Sequence, residues 1–74
     1  MKTISVIGLG LIGGSFALAL KKVGVADKII GVDQNIEHQI QALEVGIVDE
    51  IAPLNEALSQ SDLVFMAVAI NAIQ

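Results

Sequence analysis

The 74-residue sequence contains no cysteine, no tryptophan and no tyrosine, and its four basic residues are all lysine, with no arginine among them. Each absence narrows the field. Without cysteine there is neither a disulfide framework nor a thiolate metal site, and a reducing cytoplasm is the expected compartment. Without arginine, and with eight acids giving a net charge of −4, the chain lacks the clustered cations that neutralise nucleic-acid phosphates, so no nucleic-acid partner is expected. Phe16 and Phe65 are the only aromatic residues. The hydrophobic 54% is therefore almost entirely Ile, Val, Leu and Ala, the composition of strands covered on both faces. A chain of this length forms at most one small domain. Its mean hydropathy of +0.76 means that it carries more apolar surface than so small a domain readily buries alone.

Residues 3–20 carry no charge, which raises the question of a membrane span or an export signal. Lys2 precedes them, and Ala17-Leu18-Ala19 has the small-x-small form of a cleavage site. Two features oppose that reading. Four glycines fall at ordered positions within residues 8–14, and Lys21 and Lys22 stand where a helix C-terminus favours positive charge. No membrane partner is expected.

The patterning reads as β-α-β-α-β. Residues 3–8 (TISVIG) form a β-branched first strand. Residues 10–24 then switch to helical period, with Ile12, Phe16, Ala19 or Leu20, and Val23 on one apolar stripe, and with Gly24 as a left-handed stop. Residues 28–33 form a second buried strand ending on an acid. Asn35 caps a second helix to Val45, with Ile36, Ile40 and Leu43 inward and Gly46 as its stop. Pro53 interrupts the next stretch, where Leu54, Ala57 and Leu58 suggest a short third helix, and residues 62–70 form a third buried strand. Helical crossovers make such strands parallel and place helices on both sheet faces: the first half of a doubly wound, Rossmann-type sheet.

Gly8, Gly10 and Gly13 form G-x-G-x-x-G after the first strand and at the start of the first helix. Asp33 follows at the end of the second strand, 20 residues beyond Gly13. Each position has its own reason. Gly8 permits the tight turn, Gly10 lets a pyrophosphate approach the backbone, and Gly13 allows close helix–strand packing. The N–H groups of Gly10 to Ile12 lack intrahelical partners and lie at the positive end of the helix dipole, so an anion there needs no arginine. Asp33 can accept both hydroxyls of an adenosine ribose. It repels a 2′-phosphate, and neither Gln34 nor Asn35 compensates, so NAD is favoured over NADP. His38, the single histidine, reads as a solvated surface residue opposite the Ile36–Ile40–Leu43 stripe. Asp49 and Glu50 read as surface loop acids rather than a metal pair.

At GLGLIGGSFALAL the sequence resembles the N-terminal nucleotide-binding segment of the prephenate and arogenate dehydrogenases. The stretches GVDQN, ALEVGIVDEIA and SDLVFMAVAI follow in that family's order and spacing. The resemblance implies oxidative decarboxylation of prephenate to 4-hydroxyphenylpyruvate in tyrosine biosynthesis, with hydride passing to NAD or NADP. It further implies that Gly8, Gly10 and Gly13, with the intervening backbone of Leu9, Leu11 and Ile12, hold pyrophosphate. Asp33 would hold the ribose, and Val68 and Ala69 would line the cofactor cleft. Where the family typically has proline after the Ala-Val of that strand, Ala69 stands here. The family's catalytic histidine and its substrate-carboxylate groups belong to later strands and a helical, dimerising domain. Residues 1–74 are thus expected to be the nucleotide-binding front of a longer dehydrogenase and inactive by themselves, the small-molecule substrate being bound only by the intact enzyme. A β-hydroxyacid dehydrogenase, which more often has Met at the place of Ile12, and a free-standing nucleotide-binding module are the alternatives. With residues 62–70 as the third strand, Thr3–Ile7 is expected to present an apolar sheet edge and to invite self-association.

Overall fold

The computed structural model describes residues 2–67, with residues 11 and 12 described by their backbone alone. The elements are β1 (Thr3–Ile7), α1 (Leu11–Val23), β2 (Lys28–Val32), α2 (Ile36–Val45), β3 (Glu50–Ile51), α3 (Leu54–Gln60) and β4 (Leu63–Met66). All strand pairs are parallel, and the sheet order is β3-β2-β1-β4. No helix among the described residues is long and apolar enough to cross a membrane.

The register sets Val6 beside Gly31 and Phe65, and Ser5 beside Ile30 and Val64. Alternation then sorts side chains to two faces. Val6 and Ile29 pack with Leu9, Ala17 of α1, Ala42 of α2 and Val48 on one face. Ile30 packs with Ala52 and with Ala57 of α3 on the other. This arrangement follows from the connections. The chain steps outward from β1 to β2 to β3, then returns across β1 to β4, and keeping every crossover right-handed sends α3 to the opposite face.

Two expectations need correction. Residues 50 and 51 form an additional strand, so Leu63–Met66 is the fourth strand, not the third. It therefore lies against β1, pairing Ile4 with Leu63 through Ile7 with Met66. β1 is consequently an interior strand, and the exposed first-strand edge does not exist. Among the described residues the sheet's edges are β3 and β4, and β4 is half-exposed, not buried, with Leu63 and Met66 open to solvent.

The helix stripes hold in part. In α1 Phe16 and Leu20 of the expected stripe pack against the core beside fully buried Ala17, whereas Val23 is 72% exposed. In α2 Ala42 is buried while Ile36, Ile40 and Leu43 face solvent. A helix lying on a sheet comes closest where a small side chain separates the backbones, so alanine takes the contact and the larger residues lie at its flanks or beyond.

The helix ends follow the sequence. Gly24 and Gly46 adopt left-handed conformations at φ +77° and +82°, and their N–H groups return to carbonyls of the last turn. Asn35 accepts the N–H of His38 at 3.1 Å as the N-cap of α2. At the opposite end of the sheet, carboxylates anchor the starts of strands. Asp49 accepts the N–H of Ile29 at 2.7 Å and Lys21 Nζ at 2.9 Å, and Asp62 accepts the N–H of Thr3 at 2.8 Å. Asp49 is thus a structural anchor and not merely a loop acid.

Candidate nucleotide-binding site

The three fingerprint glycines have different physical standing. Gly8 sits at φ +92°, a conformation that L side chains rarely adopt, and donates its N–H to Val32 O at 2.7 Å. A Cβ on Gly13 would lie 1.7 Å from Gly8 O, so α1 can approach the end of β1 only without one. Gly10 is different. It has φ −67°, and a Cβ there would meet nothing nearer than His38 Cε1 at 3.8 Å. The fold requires Gly8 and Gly13, but it does not require Gly10.

α1 opens at Gly10 with no side-chain cap and no acid in its first turn. Its ladder begins with Gly14 N–H donating to Gly10 O at 2.8 Å. The N–H groups of residues 11–13 therefore precede the helical ladder and point out of the positive end of the helix. Such an end attracts an anion. Leu11 and Ile12 enter this account through their backbone alone.

Leu9 turns its side chain into the core and donates its N–H to Asp33 Oδ2 at 2.6 Å. Of the residues between the fingerprint glycines, Leu9 thus holds the turn to β2 and does not offer its N–H outward. Asp33 Oδ1 accepts the N–H of Asn35 at 2.8 Å, and Oδ2 also lies 3.0 Å from His38 Nδ1. Burial raises the Asp33 carboxyl, but the N–H groups of Asn35 and Leu9 and the imidazole outweigh it and hold the group below the usual carboxylate range. The carboxylate is therefore ionised at neutral pH. His38 is partly buried and paired with this acid, in place of the solvated surface position expected for it. The spacing held a signal for this. Asn35 as N-cap puts residue 38 in the first helical turn, beside the end of the strand that Asp33 follows.

Asp33 lines an open cleft of about 720 Å³ with Gly8, Gln34, Gln39, Pro53 and Leu54. The cleft lies outside the carboxyl ends of the strands, where open parallel sheets bind ligands. Gln39 helps fix its rim by donating from Nε2 to the Asp33 carbonyl at 2.5 Å. The sequence pattern did not single out Gln39 or the Leu9 tie. Val68 and Ala69, expected to line the same cleft, lie outside the described residues.

Residues 16–74 match the family model of the prephenate dehydrogenase nucleotide-binding domain. The chain belongs to that family. It is 50% identical over 50 residues to the prephenate dehydrogenase of Bacillus subtilis (strain 168), covering 68% of this chain and 14% of that protein. It is 39% identical over 71 residues to the prephenate dehydrogenase of Lactococcus lactis subsp. cremoris (strain MG1363), covering 96% of this chain and 20% of that one. A match of that extent necessarily takes in the glycine turn. The crystal structure of prephenate dehydrogenase from A. aeolicus in complex with hydroxyphenyl propionate and NAD+ superposes with a TM-score of 0.84 at 31% identity, over 99% of this chain and 26% of that chain. A second structure of prephenate dehydrogenase, from Aquifex aeolicus, gives a TM-score of 0.65 at 40% identity over 70% of this chain and 19% of that chain. The chain thus spans only about a seventh to a quarter of these prephenate dehydrogenases. Membership of the prephenate dehydrogenase family decides against the β-hydroxyacid dehydrogenase alternative.

Proposed function

We propose that this chain is the N-terminal part of an NAD-binding domain and grips the adenosine diphosphate half of NAD. The pyrophosphate lies on the N–H groups of residues 11–13, with Gly10 admitting it to the backbone. Asp33 receives the adenosine ribose at the mouth of the open cleft. The observation that carries this reading is Gly10: the fold gives no reason for a glycine there, whereas a phosphate approaching the helix end does. NAD is preferred over NADP because an ionised carboxylate stands where the 2′-phosphate would enter.

The intact protein, by its family, oxidatively decarboxylates prephenate to 4-hydroxyphenylpyruvate in the cytoplasm, for tyrosine biosynthesis. NAD when bound supplies the hydride acceptor. The residues of this chain orient it by holding phosphate and ribose, and the groups that bind prephenate belong to later strands and a helical domain beyond residue 74. That a relative was crystallised with NAD+ and hydroxyphenyl propionate supports nucleotide binding within this family.

Titration calorimetry with NAD, NADP and AMP tests the reading. The chain is expected to bind NAD weakly but more tightly than NADP, and to leave prephenate unchanged. Gly10→Ala is expected to weaken NAD binding at least about tenfold, the effect of a lost charge-assisted contact, while the thermal unfolding midpoint stays put. A folded chain that binds no nucleotide, or a Gly10→Ala variant that binds NAD normally, overturns the proposal.

A further inference from the structure

His38 is the one group able to carry positive charge at the ligand end of the sheet, among the described residues. The four lysines all lie at the other end: Lys2 precedes β1, Lys28 begins β2 and pairs with Glu50, and Lys21 and Lys22 close α1, with Lys21 on Asp49. His38 is held at two points, one on its backbone and one on its ring. Its backbone N–H caps onto Asn35 Oδ1 at 3.1 Å, and its Nδ1 stands 3.0 Å from Asp33 Oδ2. The remaining residues around the neighbouring cavity, namely Leu9, Gly10, Gly14, Ser15, Leu18 and Gln41, are uncharged. Asp33 is thus the charged group that the ring faces.

The hydrogen-bonding capacity of Asp33 gives this pairing a consequence. An ionised carboxylate only accepts, so Nδ1 must carry the proton, and a neutral imidazole then has its lone pair on Nε2. Oδ2 takes the N–H of Leu9 and the ring, and Oδ1 takes the N–H of Asn35. A carboxylate offers about four acceptor sites, so roughly one remains, on Oδ1. Asp33 itself lines the open cleft. We propose that His38 is a positioning residue for ribose recognition: beside the Leu9 N–H it fills the second acceptor site of Oδ2 and steadies the Asp33 carboxylate, leaving Oδ1 to read the ribose 2′-hydroxyl. The inference rests on the nucleotide-binding reading and deepens it. It concerns a residue that touches Asp33, with no role in the hydride-transfer chemistry.

The test compares ADP with 2′-deoxy-ADP by calorimetry on the full 74-residue chain, as wild type, His38→Ala and His38→Asn. Wild type is expected to prefer ADP about tenfold, the scale of one hydrogen bond to a charged acceptor. His38→Ala should bring that preference to about twofold or less, and His38→Asn, which retains an N–H donor near the Nδ1 position, should restore most of it. A merely structural role for the ring would weaken both ligands together and leave the ratio unchanged, and that result overturns the proposal. Wild type binding ADP and 2′-deoxy-ADP equally overturns it too, while sparing the phosphate site. Failure to bind either nucleotide sinks the underlying reading and the proposal with it. Should His38→Ala not fold, ¹⁵N spectroscopy of the wild-type imidazole decides: a neutral ring protonated at Nδ1 supports the proposal, and one protonated at Nε2 refutes it.

Discussion

Leu9 binds the end of β2 twice, donating its N–H to Asp33 Oδ2 at 2.6 Å and laying its side chain over Gly31, where an added Cβ would lie 2.7 Å from Leu9 Cδ1. The acid that closes β2 therefore serves the glycine turn before any ligand arrives. Removing the carboxylate and changing its charge are for this reason different experiments.

Asp33→Ala leaves the Leu9 N–H without its acceptor in a partly buried place. It should cost about 1–3 kcal/mol of folding free energy, weaken NAD binding and narrow the preference for NAD over NADP, because the charge is lost with the acceptor. Asp33→Asn keeps an oxygen for Leu9 and removes the negative charge, so stability should fall less and the preference for NAD over NADP should narrow. Urea unfolding and calorimetry on the two variants separate these effects. An Asp33→Asn chain with wild-type discrimination would show that the charge does not select the cofactor.

Acid should destabilise the fold through two identified carboxylates. In Asp33, burial is outweighed by the N–H groups of Asn35 and Leu9 and by His38; in Asp49, the N–H of Ile29 and then Lys21 overcome burial. Both groups are held below their ordinary values. A carboxyl with a depressed folded-state value binds protons less readily in the native state than in the unfolded one. Its contribution is therefore complete above the ordinary value and is lost as pH falls through the depressed one. The urea midpoint should drop between about pH 5 and pH 3. Asp33→Asn and Asp49→Asn should each flatten that drop. An undiminished slope in both variants would place the acid sensitivity elsewhere.

Local signals and tertiary arrangement were unequally legible in the sequence. β1, α1, β2 and α2 each carry a long pattern with its own stop, and Gly24, Gly46 and Asn35 cap the helices where turn chemistry puts them. Asp33 likewise announced itself by its distance from the glycines. β3 gave no signal, because two residues cannot alternate; Glu50 and Ile51 form a strand only because β2 offers Ile30 and Gly31 as partners. Missing it shifted the numbering of the last strand and made β1 look like an edge. Hydropathy period located apolar stripes but not which member touches the sheet, since approach distance selects Ala17 and Ala42. The pairing of His38 with Asp33 is a polar contact around a helix cap, and hydropathy contains no trace of it.

Gly13 and Gly14 are neighbours in sequence and opposites in consequence. A Cβ on Gly13 would lie 1.7 Å from Gly8 O and 2.9 Å from its carbonyl carbon, so backbone must move to admit it. Gly13→Ala should cost about 3 kcal/mol or more, at or beyond the upper end of overpacking. At Gly14 the nearest atoms are Leu9 O at 3.6 Å and Ile47 Cδ1 at 4.0 Å, which is ordinary contact. Gly14→Ala should therefore stabilise by up to about 1 kcal/mol through helix propensity. Thermal melts of the two variants should move in opposite directions, and a shift of the same sign in both would contradict this geometry.

Ser5 is a fully buried polar residue in the centre of β1, and its position under α3 explains it. Its Oγ lies 3.3 Å from Ala57 O and makes a short hydrogen bond with Ser61 Oγ, to which it donates its single proton. Ser61 also donates to Ala57 O, at 2.6 Å. The carbonyl near the end of α3 thus receives the hydroxyl of its own C-cap residue, which in turn accepts that of Ser5. Ser5→Ala removes the donor to Ser61 Oγ while Ser61 keeps the Ala57 carbonyl satisfied, so it should cost only about 1 kcal/mol. Ser5→Val restores β-branching but places two methyl groups against α3, where Ala57 is itself fully buried. It should cost more, about 2 kcal/mol, through overpacking. Urea unfolding of the two variants checks the order. If Val proves the milder change, α3 stands off the sheet farther than this packing allows.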